Sequence, residues 1–229
     1  MSMNNVRFGT VLPETLRVYR RQLGILWGVA ALISLPQYIV EVLLGQGSVG
    51  TVLDLVIGAV SDAWLGATIV LLVWPMLQVK SSNHSPLVES LIHPARRIVS
   101  ISILVAGTQI AVGTALAFLI VPGVGLFTIW FAALPALVVE GEGVFGAWRR
   151  SEELTKGYRK YLVWVALFVL AIQLSMALFA LLLGPLGLAG TLFSFGSDVV
   201  VYPFSVVAMT IVYAALVEHP EGSQPDLSA

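Results

Sequence analysis

The chemistry open to this chain rests on a few polar side chains set inside long apolar runs. Gln37, Gln109 and Gln173 each interrupt such a run, and Glu41 lies near the far end of the first. An unpaired amide in hydrocarbon is costly. Gln109 and Gln173, close to mid-membrane by count, must therefore hydrogen-bond across helices or line a polar cavity. A proline inside a helix frees a carbonyl one turn earlier and bends the helix around a cavity. Pro75, Pro135 and Pro203 recur in this way, each shortly after an aromatic residue, Trp74, Phe131 or Tyr202. Glu41, Gln109, Gln173, Pro75, Pro135 and Pro203 thus form a candidate path for a small neutral or weakly polar solute. Asp54, Asp62 and Asp198 count out near an interface, where charge is cheap. Glu41, on the turn beyond Pro36, is the least comfortable carboxylate and the best functional candidate among them.

A second cluster is basic and aromatic: Trp148, Arg149, Arg150, Lys156, Arg159 and Lys160. Wound as a helix, Val144 to Tyr158 puts Val144, Ala147, Trp148, Ser151, Leu154 and Tyr158 on one face and its charges on the rest, the pattern of an interfacial helix. Gly157 stands where a helix C-terminus wants a left-handed residue, and Glu152 to Lys156 is a favourable i,i+4 pair. Such a surface attracts anionic headgroups at about 1 kcal/mol per Lys or Arg. Other chemistries lack their residues. With no cysteine there is no thiol nucleophile, disulfide framework or Cys metal site. His84 and His93 share a connector with Pro86 and Pro94 and do not match a metal-ligand spacing. No nucleophile elbow, phosphate loop, HExxH or dinucleotide fingerprint has the context it needs. No catalytic residue, metal or cofactor is expected, and a net charge of −1 gives no reason to expect a nucleic-acid partner.

The elements that must position these residues are membrane helices. Hydrophobic residues make up 58% of the chain and charged ones 11%, with a mean hydropathy of +0.92, which excludes a soluble globule. The 229 residues accommodate about six spans in one domain at about 20 residues per span. The patterning places them at about 23–44, 62–79, 98–120, 124–139, 161–183 and 198–217, followed by a polar, disordered tail over 219–229. Thr51 to Val60 reads as a surface helix, Pro122 and Gly123 as a tight break, and Gly184 to Gly196 as an interfacial or re-entrant connector. Elbows around Pro13 to Arg21 and Pro86 to Arg97 resemble the one at Val144 to Tyr158. The expected fold is all-α and integral to the membrane, with six transmembrane helices in three hairpins, each preceded by a cytoplasmic amphipathic elbow. The N-terminal segment is not expected to be a cleaved signal peptide.

Charge fixes the expected orientation. All twelve Lys and Arg fall before the first span or in the second and fourth connectors. By the positive-inside rule those segments are cytoplasmic, so both termini are expected inside a multi-pass protein of the cell (inner) membrane.

Over Pro135 to Trp164 the chain resembles an uncharacterised membrane-protein family that also occurs as the membrane domain of glycerophosphoryl diester phosphodiesterases. The resemblance is carried by Glu140, Ala147, Arg150, Ser151, Leu154, Lys156 and Gly157, and it extends to the segments beginning at Thr15 and Val200. After Tyr213 the chain departs from the basic tail usual there. The resemblance implies an all-helical six-span domain; the catalytic barrel of the phosphodiesterases is not part of this sequence.

The reading that follows is a non-enzymatic polytopic membrane protein that organises lipid or docks a partner through its elbows. Its expected partners are membrane lipids, anionic ones included, and a protein of unknown identity. A permease for a small neutral or weakly polar solute is the alternative, and a membrane subunit of an enzyme or transporter encoded elsewhere is the third.

Overall fold

A computed structural model describes residues 8–44, 48–78, 94 and 97–218. Its helices are α1 (Phe8–Arg21), α2 (Leu23–Leu44), α3 (Ser48–Leu77), α4 (Ile98–Phe118), α5 (Ile120–Ile129), α6 (Ala133–Glu140), α7 (Val144–Thr155), α8 (Arg159–Leu183) and α9 (Leu188–Val217). There is no strand among the described residues. Six segments are long and apolar enough to cross a membrane: Leu23–Leu43, Val52–Leu77, Ile98–Phe118, Ile120–Glu140, Arg159–Leu186 and Leu188–Val217. The chain is an all-α, multi-pass membrane protein.

The six spans form two sets. In α3, α5 with α6, and α9, burial inside the protein reaches 56, 56 and 61% of the span, against 28, 22 and 22% for α2, α4 and α8. Each hairpin therefore supplies one outer and one inner span. Phe131, Leu137, Leu65, Ile69, Leu216 and Tyr213 fill the centre, while Leu32, Leu43, Ile110 and Leu181 turn outward from the bundle. Apolar residues all round a helix suit both environments, because lipid is as apolar as leucine. Hydrophobicity alone does not separate the two sets.

Two of the three expected elbows lie within the described residues. The first, α1, begins at Phe8, ahead of Pro13, and buries Val11, Thr15 and Tyr19 against the bundle. The Tyr19 hydroxyl donates to the Val200 carbonyl at 2.5 Å and accepts from Trp27 Nε1 at 2.7 Å. Burial pushes the Tyr19 phenol above its ordinary pKa, and the Trp27 bond partly offsets this. The third elbow, α7, ends as expected, with Gly157 left-handed at φ 88°. Most of the second elbow lies outside the described residues, as do His84, His93 and the tail.

Three expectations are corrected. Thr51 to Val60 is not a separate surface helix: α3 runs unbroken from Ser48 through Asp62 to Leu77. A single acidic residue does not stop a helix when the apolar pattern continues on both sides of it. Gly184 to Gly196 does not form a connector either, because one 3-10 turn at Gly184–Leu186 separates α8 from α9. Finally, the break between the third and fourth spans falls at Leu119, in extended backbone, and Pro122 lies in the first turn of α5. There its missing N–H costs nothing, since first-turn amides have no helical partner. Gly123 makes the hairpin this tight: a Cβ there would lie 2.7 Å from the Leu116 backbone nitrogen.

Candidate functional site

The longer α3 and α9 change where the acidic residues sit. Asp62 lies about 21 Å along α3 from Ser48, and Asp198 about 15 Å along α9 from Leu188, at about 1.5 Å per residue. Both therefore lie within long apolar helices and not at their ends. Gln109 of α4 and Gln173 of α8 come to the same level. Asp62, Gln109, Gln173, Asp198 and Tyr202 line one cavity of about 280 Å³, which Ser194 and Ser197 continue toward the start of α9. A second cavity of about 100 Å³ lies deeper and shares Gln109, Gln173 and Tyr202 with the first. Its other walls include Thr108, Phe127, Trp130 and Met209.

Asp62, Gln109 and Tyr202 of the upper cavity are bonded to one another, and Asp198 to Tyr38 outside it. Gln109 Nε2 donates to Asp62 Oδ2 at 3.3 Å, and the Tyr38 hydroxyl donates to Asp198 Oδ2 at 2.6 Å. The Tyr202 hydroxyl donates to the Asp62 backbone carbonyl at 2.8 Å. Gly66 admits that ring, since a Cβ there would stand 3.1 Å from the Tyr202 oxygen. No Lys, Arg or His lines either cavity. The arrangement presents amide, hydroxyl and carboxylate groups to a ligand and has no positive charge to offer an anion.

Of the residues expected to form a solute path, the structure brings Gln109 and Gln173 together. Glu41 goes elsewhere: it accepts from Thr191 Oγ1 at 3.0 Å and lines neither cavity. Pro75, Pro135 and Pro203 line neither, and the last two are buried. The prolines sit on the three inner spans, where the bundle rather than a cavity surrounds them. Asp62 and Asp198 take the place expected for Glu41. The signal that could have found Asp62 is continuity of the apolar pattern from Val52 to Ser61, which lengthens the second span.

The basic cluster divides. The α7 helix packs on α6 and touches α4 and α5, burying Ala147, Ser151 and Thr155. Trp148 stacks on Trp130 with centroids 5.1 Å apart, and its Nε1 donates to Thr108 Oγ1 at 2.9 Å. Arg150 Nε donates to both oxygens of Glu140, at 2.9 and 3.0 Å, and the Tyr213 hydroxyl donates to the same carboxylate at 2.9 Å. That hydrogen bond holds the Arg150 guanidinium above its ordinary pKa. Trp148, expected to meet lipid, thus packs on the protein, whereas Arg150 is tied to Glu140 with 36% of its side chain accessible. Arg149 is exposed and pairs with Glu153, and Arg159 lies 3.6 Å from Glu152. Lys160 sits over the Tyr161 ring and Lys156 is exposed.

Ser151 has a role that its type does not announce. Between α5 and α6 the helix is interrupted at 130–132, leaving backbone groups inside a membrane span without helical partners. The Ser151 hydroxyl donates to the Ile129 carbonyl at 2.7 Å and accepts from the Ala132 N–H at 3.2 Å. Thr155 Oγ1 adds a longer contact to Ile129 at 3.4 Å. On the same face, Arg97 Nη1 donates to the carbonyl of Gly141, whose φ is 74°.

Fold and site together define a six-span membrane protein with a polar cavity between its outer and inner helices. Compared with models of protein families, with curated proteins and with solved structures, the chain matches none.

Proposed function

We propose that this protein is a permease that binds a small polar solute at mid-membrane, with its basic face toward the cytoplasm and both termini on that side of the cell membrane. One observation carries the reading: two cavities, the outer lined by polar groups and the deeper mostly apolar, share Gln109, Gln173 and Tyr202 and run into the bundle. Polar groups inside a membrane span are expensive and mark solute paths when they face a cavity. Asp62 and Asp198 select against anions and leave neutral hydrogen-bonding solutes and small cations. No catalytic step is assigned to these residues.

The test uses proteoliposomes and three probes, glycerol, urea and methylammonium. At least one should move faster than through protein-free liposomes, and the Gln109→Leu, Gln173→Leu double variant should lose that gain. Flux that survives the double variant removes this path. The chain has no cysteine, so a cysteine placed at Ser197 also reports directly whether water reaches the cavity. Failure of a membrane-impermeant thiol reagent to label it overturns the reading.

A second reading keeps the elbows as a docking surface for anionic lipid. It is favoured by the exposure of Arg149, whose side chain is 83% accessible, beside the exposed Lys156, Arg159 and Lys160. Neutralising these four should abolish retention of anionic lipid in native mass spectrometry of the lipid-extracted protein; unchanged retention removes it. On the motif around Glu140 and Arg150 we also propose kinship with the membrane domain of glycerophosphoryl diester phosphodiesterases.

A further inference from the structure

The deeper cavity is lined by no residue of α7, but α7 backs one part of its wall. Thr108 and Trp130 form part of its wall, and Trp148 holds both from behind, stacked on one and hydrogen-bonded to the other. Gly107 lets the indole lie flat against α4: a Cβ there would stand 3.1 Å from two atoms of the Trp148 ring. An apolar ring with its one donor satisfied seals such a boundary well, because it excludes water without leaving a polar group unpaired. Beyond the indole, α7 belongs to the basic face, where Arg149 and Glu153 are exposed.

What holds this ring in place is a small set of polar contacts. Glu140, at the end of α6, takes hydrogen bonds from Arg150 of α7 and from Tyr213 of α9. Ser151 ties α7 to the interruption between α5 and α6. The same helix therefore backs the cavity wall and, through Glu140, is joined to two inner spans. A lid must be built in this way if closure is to follow the bundle, since a ligand shifts a two-state element only through contacts that differ between its states.

We infer that α7 is the gate of the cavity on the basic face, with Trp148 as the plug and the Glu140 contacts as its latch. The inference rests on the permease reading, and the test separates the two. In the cysteine-free chain, Met209→Cys places a thiol in the deeper cavity. A trimethylammonium thiosulfonate reagent is applied to sealed vesicles of each orientation. The parent should react from the far face and be protected from the basic face. Trp148→Ala should raise the basic-face rate by about tenfold or more, as a shift of one such factor in the closed-to-open equilibrium requires. Gly107→Leu displaces the ring without deleting it and should do the same, which keeps the test valid if Trp148→Ala does not fold. Far-face labelling should stay unchanged in both variants. If both label from the basic face at the parent rate while far-face labelling persists, the gate is wrong and the cavity stands. If the parent thiol reacts from neither face, the permease reading falls and the gate with it.

Discussion

Replacing Ser151 with alanine tests the claim that α7 completes the broken span. The side chain is fully buried, and its hydroxyl serves two backbone groups at once. Alanine leaves the Ala132 N–H without its acceptor, and Ile129 keeps only the longer Thr155 contact. A buried donor left unpaired costs about 1 to 3 kcal/mol, whereas interhelical side-chain bonds in membrane proteins average nearer 0.6 kcal/mol because partners are replaced. The value for Ser151→Ala should lie near 2 kcal/mol, since a backbone amide fixed at an interruption cannot find another acceptor in an apolar core. Adding Thr155→Val removes the last side-chain partner of Ile129 and should cost about 1 kcal/mol more. Reversible unfolding in mixed micelles reads these differences. Ser175→Ala is the control, because Ser175 only bonds back to the carbonyl of Ala171, one turn earlier on an exposed face, and should change stability by less than about 0.5 kcal/mol. A Ser151→Ala effect no larger than the control would refute the role given to the elbow.

Further outcomes follow from single contacts. Gly123→Ala should destabilise by about 1 to 3 kcal/mol, since the new methyl group meets the Leu116 side chain at 2.5 and 2.6 Å and also the backbone nitrogen of α4 at 2.7 Å, which cannot move aside; a neutral result in the same micelles would show that the hairpin is looser than described. Tyr213→Phe should cost about 1 kcal/mol by removing one of the bonds to Glu140, and combining it with Glu140→Ala should be less than additive in the same unfolding measurement, because both changes break the same contact. Gly141→Ala should weaken the junction of α6 and α7, since the backbone there is left-handed and a Cβ would stand 2.4 Å from Arg97 Nη1; an unchanged melting temperature would count against that contact.

Much of the architecture was legible. Six spans follow from apolar length, and the end of α7 from Gly157, because a left-handed residue leaves an unambiguous mark in sequence. Depth was harder. Asp62 looked interfacial because a glycine-containing, weakly amphipathic stretch precedes it, yet Thr51 to Val60 is as apolar as a span needs to be and α3 simply continues. Gln109 and Gln173 were found because an amide in hydrocarbon demands a partner, although neither reveals that its neighbours are Asp62 and Asp198. Trp148 was read as a lipid contact, and the Glu140 partner of Arg150 went unseen, because interfacial chemistry and internal packing use the same residue types. Only the positions of Trp130, Thr108 and Glu140 in space tell the two apart.

The interruption at 130–132 also constrains the order in which the chain is made. Its backbone groups are satisfied by a residue 19 positions later in the case of Ala132 and 22 later in the case of Ile129. While α5 and α6 enter the bilayer during synthesis, Ser151 has not yet left the ribosome, and two polar backbone groups have no helical partner. That span reaches its final depth and bend only after α7 emerges and folds back onto it. The elbow is thus a late-arriving clasp: a chain stalled or truncated before Ser151 should hold its fourth span less firmly than a full one, whatever solute the finished protein carries.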